Sequence, residues 1–163
     1  MKLIAHRGNI NGPNIETENN PEHLIEILKL GYDCEIDVHL INNELFLGHD
    51  SPTYKINLDF LLSNSSRFWI HCKNMAALDF LHKFSELNIF WHENDKYTIT
   101  SKRYIWSYVG TDTTNNIICV MPELAFSNFV DVVTDKIFNN KLHGLCTDYC
   151  STFQNIIRLN NKM

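Results

Sequence analysis

Cys34-Glu35-Ile36-Asp37-Val38 alternates apolar and acidic residues one for one. Successive side chains of an extended strand point to opposite faces, so Cys34, Ile36 and Val38 face packed helices while Glu35 and Asp37 share the other face. Two carboxylates held together without a counter-charge would repel and take up protons, so that face calls for a divalent cation or a basic neighbour. Such a strand belongs in a sheet with helices on one side and a polar site on the other.

Short apolar runs that end in polar tips recur along the chain. Leu3 to Ala5 ends at His6-Arg7-Gly8, Leu45 to Leu47 ends at Gly48-His49-Asp50, and Phe68 to Cys72 ends at Lys73. Ile89 to His92, Tyr104 to Tyr108, Ile117 to Met121 and Gly144 to Asp148 read the same way, giving eight strands in all. Helical spacing separates some of them. Pro21 to Leu30 opens with proline and stops at Gly31, Met75 to Phe84 follows Asn74 as an N-cap, and Ser151 to Leu159 is amphipathic. Leu58 to Leu62 adds a single turn.

Strands alternating with helices predict an α/β protein with a largely parallel sheet, and eight strands point to a barrel. A full barrel of this type takes about 250 residues. With 163 residues the expectation is a shortened, distorted (β/α)8 TIM-type barrel with several helices reduced or missing. Too few residues separate the second and third strands for a crossover helix, so Asn42-Asn43 is read as a hairpin tip that sets Asp37 opposite Gly48-His49.

Composition narrows the function. At 44% hydrophobic and 20% charged residues, the chain reads as one globular domain over residues 1–163. Its formal charge of −5, without a basic stripe, argues against a nucleic-acid partner. No apolar run approaches the roughly 18 residues of a membrane span, and no membrane-docking helix is evident, so stable membrane association is not expected. Met1-Lys2 runs directly into the first strand where a signal peptide would stand, which predicts a cytoplasmic location. Five cysteines, mostly in strand-like runs, read as buried thiols. Neither a phosphate-cradling P-loop nor a Gly-x-Ser-x-Gly elbow occurs.

The polar tips carry the chemistry. His6 and His49 sit at strand ends and titrate near neutrality, so one can take a proton from an attacking hydroxyl while the other protonates a departing alkoxide. Arg7 between them can hold charged phosphoryl oxygens, and Gly8 and Gly48 allow backbone to approach a ligand closely. On the fourth strand Trp69, His71 and Lys73 share a face, and Lys73 is placed to neutralise a phosphate oxygen. His92 and Asp148 end later strands and project to the same mouth.

These residues together resemble the glycerophosphodiester phosphodiesterase family. The resemblance runs through His6-Arg7-Gly8, Glu18-Asn19, Glu35-x-Asp37, Gly48-His49-Asp50 and Lys73, and returns at Gly144-Leu145-Cys146-Thr147-Asp148-Tyr149. It implies a distorted α/β barrel, His6 and His49 as the acid-base pair, Arg7 and Lys73 on phosphate, and Glu35 and Asp37 on a divalent cation. Glu18 matches the acid of the family's Glu-Asn-Thr segment, with Asn20 where threonine is usual, and is read as support for Arg7. His71 stands where the family places a third acidic ligand. Two carboxylates favour Mg²⁺ or Ca²⁺, and an added imidazole moves the preference toward Mn²⁺, Zn²⁺ or Fe²⁺. The implied substrate is a small phosphodiester with a hydroxyl near phosphorus. Alternatives on the same barrel are a non-catalytic phosphate-binding module and a phospholipase-D-like lyase that releases cyclic phosphate.

Overall fold

The centre of the sheet is β1 (Lys2–His6), and a computed structural model describes residues 1–109, 116–125 and 142–160 around it. On one edge β1 pairs in parallel with β2 (Asp33–Ile41), after the helix α1 (Pro21–Lys29). β2 then turns back into the antiparallel strands β3 (Glu44–Leu47) and β4 (Tyr54–Ile56). After α2 (Leu58–Ser63), β5 (Phe68–Cys72) joins the other edge of β2, and beyond α3 (Met75–Leu81) the two-residue β6 (Ile89–Phe90) extends it. The short β7 (Tyr97–Ile99) lies antiparallel to β8 (Ile105–Tyr108), which pairs in parallel with β9 (Ile117–Val120). A 3₁₀ turn (Pro122–Leu124) follows β9, and β10 (Gly144–Thr147) joins β9 to β1 before the last helix, α4 (Cys150–Asn160).

Seven strands therefore run parallel in the order β6-β5-β2-β1-β10-β9-β8. The expected count of eight included β3, which the structure turns into an antiparallel partner of β2, as its short connection requires. β4 and β7 were not anticipated, because three residues each are too few to show a period. The sheet is curled in the manner of a distorted TIM-like barrel. Among the described residues no backbone ladder joins β6 to β8. Instead Ser101 donates its N–H to Ile89 O at 2.8 Å, and the Phe90 and Trp106 rings meet 4.6 Å apart inside.

Local chemistry explains the helices. Asn20 caps α1 by accepting from the N–H groups of Glu22 and His23, Pro21 occupies the first turn, and Gly31 at φ 99° ends the run. Asn57 and Asn74 cap α2 and α3 in the same way. α3 stops at Leu81, short of the expected Phe84, and α2 is longer than one turn. None of the described helices is long and apolar enough to cross a membrane.

The alternation predicted for β2 and β5 is visible in the packing. Cys34, Ile36, Val38, Phe68, Ile70 and Cys72 meet Leu24 and Ile27 of α1, Leu61 of α2 and Ala77 and Leu81 of α3 in an outer core. The inner face is a second cluster of Ile4, Trp69, Phe90, Trp106, Ile118, Val120 and Cys146. All five cysteines are buried free thiols, and burial pushes each of them up, away from nucleophilic use.

Candidate active site

One residue further along the inward face, the apolar cluster gives way to polar groups. Beyond Ile4 stands His6, beyond Trp69 stands His71, and beyond Cys146 stands Asp148, all at the carboxyl ends of parallel strands. His6, Arg7, Glu35, Asp37, His49, His71 and His92 line one cleft there, above Phe90 and Trp106.

β2 outruns β1 and so builds the site's wall. Its first half pairs with β1 through Glu35, and its second half, from Val38, pairs with β3. Asn42 and Asn43 both take left-handed conformations (φ 50° and 63°), the arrangement that matches a two-residue hairpin to strand twist. The returning strand places Gly48 N–H 3.1 Å from Asp37 O, which sets His49 over the rim. Gly48 has φ 145°, and a Cβ there would lie 2.1 Å from Ser51 O. Gly48→Ala is therefore expected to displace the His49 loop, lowering turnover far more than it lowers the melting temperature. Comparing kcat with thermal unfolding of the variant tests this, and an unchanged kcat would show that the loop position is unimportant.

The two histidines are held differently. His6 Nδ1 lies 2.9 Å from Asp148 Oδ1, leaving Nε2 for the cleft. Burial disfavours the charge on His6, but the Asp148 hydrogen bond and the nearby Glu35 and Asp148 charges outweigh it, so its pKa is raised. His49 is half-exposed, with Nδ1 2.6 Å from Asp50 Oδ1. Partial burial lowers its pKa, the Asp37 charge opposes this, and Arg7 and Lys73 reinforce it. An NMR titration of the metal-free protein should thus find His6 losing its proton above, and His49 below, the ordinary imidazole value of 6.5. The His6–Asp148 pairing stabilises the fold fully below that ordinary value and is lost as pH rises through His6's folded pKa. In Asp148→Asn the His6 midpoint should fall, and a midpoint that stays put would separate the two residues.

The carboxylates of β2 are nearly inaccessible and crowded by donors. Asp37 accepts from Asn19 Nδ2 at 2.9 Å and lies 3.1 Å from His71 Nδ1, 3.4 Å from Arg7 Nε and 3.5 Å from Lys73 Nζ. Burial opposes its charge, yet the His71 hydrogen bond and the charges of Lys73, His71 and Arg7 hold it well below the usual carboxylate range. Glu35 accepts the Arg7 N–H at 3.2 Å. Burial and the Asp37 charge push its pKa up. Glu35, Asp37 and His71 each offer a ligand atom within 4.8 Å of the others, a donor set of two carboxylates and an imidazole that fits a divalent cation.

Arg7 is folded into this network by a left-handed backbone (φ 53°). Its Nη1 donates to Glu18 Oε2 at 3.1 Å, while its buried Nε makes no hydrogen bond. His92, His71 and Phe90 form a stack, with His71 4.8 Å from His92 and 5.1 Å from Phe90. His92 Nδ1 is likewise buried without a hydrogen-bond partner.

Every residue singled out in the sequence, His6, Arg7, Glu18, Glu35, Asp37, His49, His71, Lys73, His92 and Asp148, thus falls at this one rim or in direct contact with a residue there. Three supports were missed. Asn9 Nδ2 bridges Glu18 Oε1 and Asp148 Oδ1 at 2.9 Å each. Asn19, at φ 58°, clasps Asp37 by accepting its N–H and donating to its carboxylate. Glu123 Oε1 accepts from Thr147 Oγ1 and from the Asp148 N–H, fixing the strand end that carries Asp148. For Asn19 the signal was its place beside Glu18, while Asn9 and Glu123 carried none.

A curled, largely parallel sheet with outer helices and a polar rim at its carboxyl end makes this an α/β fold of the kind seen in distorted TIM-like barrels. Within that class the chain is similar to a solved glycerophosphodiester phosphodiesterase from Parabacteroides distasonis, with a TM-score of 0.50 and 14% sequence identity over 98% of each chain. No family model matches the chain, and no curated protein matches it. The family that the sequence motifs resemble and the family of the structurally similar protein are the same.

Proposed function

We propose that this protein is a metal-assisted phosphodiesterase of the glycerophosphodiester type, acting on a small phosphodiester that carries a hydroxyl near phosphorus. The observation that carries the reading is the Glu35–Asp37–His71 cluster in a cleft shared with two histidines whose proton affinities are pushed in opposite directions. Paired titratable groups driven apart by their surroundings are the mark of an acid and a base.

His49, kept neutral, takes the proton of the substrate hydroxyl as its oxygen attacks phosphorus. His6, kept protonated by Asp148, gives its proton to the departing alkoxide, so the P–O bond breaks to an alcohol and a cyclic phosphate. In the second stage His6 activates water and His49 returns its proton to the ring oxygen. Arg7 and Lys73 hold the non-bridging oxygens, and Glu18 and Asn9 keep Arg7 and Asp148 in place. Glu35, Asp37 and His71 would hold one divalent cation, which when bound neutralises charge on the phosphoryl group. Mg²⁺ or Ca²⁺ suits the carboxylates, and the imidazole extends the range to Mn²⁺ and Zn²⁺.

Phosphorus NMR of glycerophosphocholine digests tests the reaction class. The expected end product is glycerol phosphate, with cyclic phosphate only in transit. Cyclic phosphate as the sole end product would make the protein a lyase, and an unchanged diester would leave a phosphate-binding module.

A further inference from the structure

The opposite end of the barrel, where the parallel strands begin, holds a hollow of about 420 Å³ that takes no part in the proposed reaction. A space of that size falls within the range of small-molecule sites, roughly 300–1,000 Å³. Phe68, Trp69 and Tyr104 border it, the first two almost wholly buried and the Trp69 and Tyr104 rings 5.0 Å apart. Asn88, which precedes β6, also lines it. Asn88 is only 6% exposed, and its Oδ1 has no hydrogen-bond partner. Beside the hollow, His143 packs its ring 4.4 Å from Tyr104 and has a buried Nε2 that is equally unpartnered.

Buried side-chain amides are satisfied in nearly all native proteins, so an orphaned one in the wall of a cavity calls for a ligand. A carboxamide offers an acceptor beside a donor, and its complement is a flat group with a donor beside an acceptor, such as a nucleobase edge. Of the bordering aromatics Tyr104 is the accessible one, and an aromatic ring suits the face of such a group. Charge supplies the remaining element. Lys2 and Arg67 converge on the buried Asp33, at 2.6 and 3.2 Å, and Lys102 stands at the rim with Glu86. Among the residues that line the hollow, Lys2 and Lys102 stand against Glu86 alone, in a chain of net charge −5.

We propose that this hollow binds a small anion built on a planar heterocycle, the make-up of a nucleoside monophosphate. Its position at the amino ends of the strands separates it from the histidine mouth, and it stands independently of the reaction proposed there.

The test titrates the full chain with the four common nucleoside monophosphates, following tryptophan fluorescence and calorimetry, with adenosine and inorganic phosphate as partial probes. At least one monophosphate should bind more tightly than phosphate alone. Asn88→Leu should weaken that binding at least tenfold and, by removing an unpaired buried amide, raise the melting temperature of the free protein. Arg7→Ala at the other mouth should leave the binding unchanged. Four results would each overturn the proposal: no monophosphate binds, phosphate alone binds as tightly, Arg7→Ala abolishes binding, or Asn88→Leu lowers the melting temperature.

Discussion

His6→Ala is expected to cut phosphodiester turnover by about 10²–10⁴-fold, the usual range for removing a positioned acid or base. The size of the effect follows from how the imidazole is held. Its Nδ1 is fixed by Asp148, its side chain is only 17% exposed, and against the opposing effect of burial the Asp148 hydrogen bond and the Glu35 and Asp148 charges raise its proton affinity. The fold should survive, because Asp148 retains its bond from Asn9 and its backbone N–H remains on Glu123. Circular dichroism and kcat measured together separate lost chemistry from lost structure. His49→Ala should cost a similar factor with less effect on stability, since His49 is on a half-exposed loop. Turnover within threefold of the parent in both variants would remove the two-histidine mechanism.

Phe68→Ala should be the most damaging change away from the cleft. Phe68 begins β5, is 1% exposed, and packs beside Phe60 of α2 at 5.4 Å within the outer core. Truncating a buried phenylalanine costs about 3–5 kcal/mol through lost transfer energy and the cavity left behind. Domains of this size have about 5–15 kcal/mol in total, so a large share of the stability would go. Urea unfolding gives the value directly. A loss below about 1 kcal/mol would mean that the helical layer is not packed on β5 as described.

The clearest information in the sequence was the period of two along the strands. It assigned Glu35, Asp37, His71 and Lys73 to the inner side, and the short link at Asn42-Asn43 brought His49 back toward Asp37. Both are local patterns, and local patterns survive in a single sequence. The interactions that position His6 are not local. Asp148 lies 142 residues away, and Asn9 joins it to Glu18 through bonds that no spacing announces. Glu123 was hidden for the same reason, as an ordinary acid after a strand until the fold sets it beneath Asp148. The seam between β6 and β8 was also unreadable, because it rests on a serine-centred loop and a pair of rings rather than on a strand.

Metal-assisted phosphodiester cleavage is tested most directly by turnover of glycerophosphocholine by chelated protein, before and after separate additions of Mg²⁺, Ca²⁺, Mn²⁺ and Zn²⁺. Asp37→Asn provides the control, because Asp37 stands in the metal cluster and in contact with Arg7, Lys73 and His71. Negligible turnover after chelation, recovery with at least one ion, and no recovery in the variant are expected. Absence of turnover with every ion, or equal turnover with and without chelation, would contradict metal-assisted cleavage.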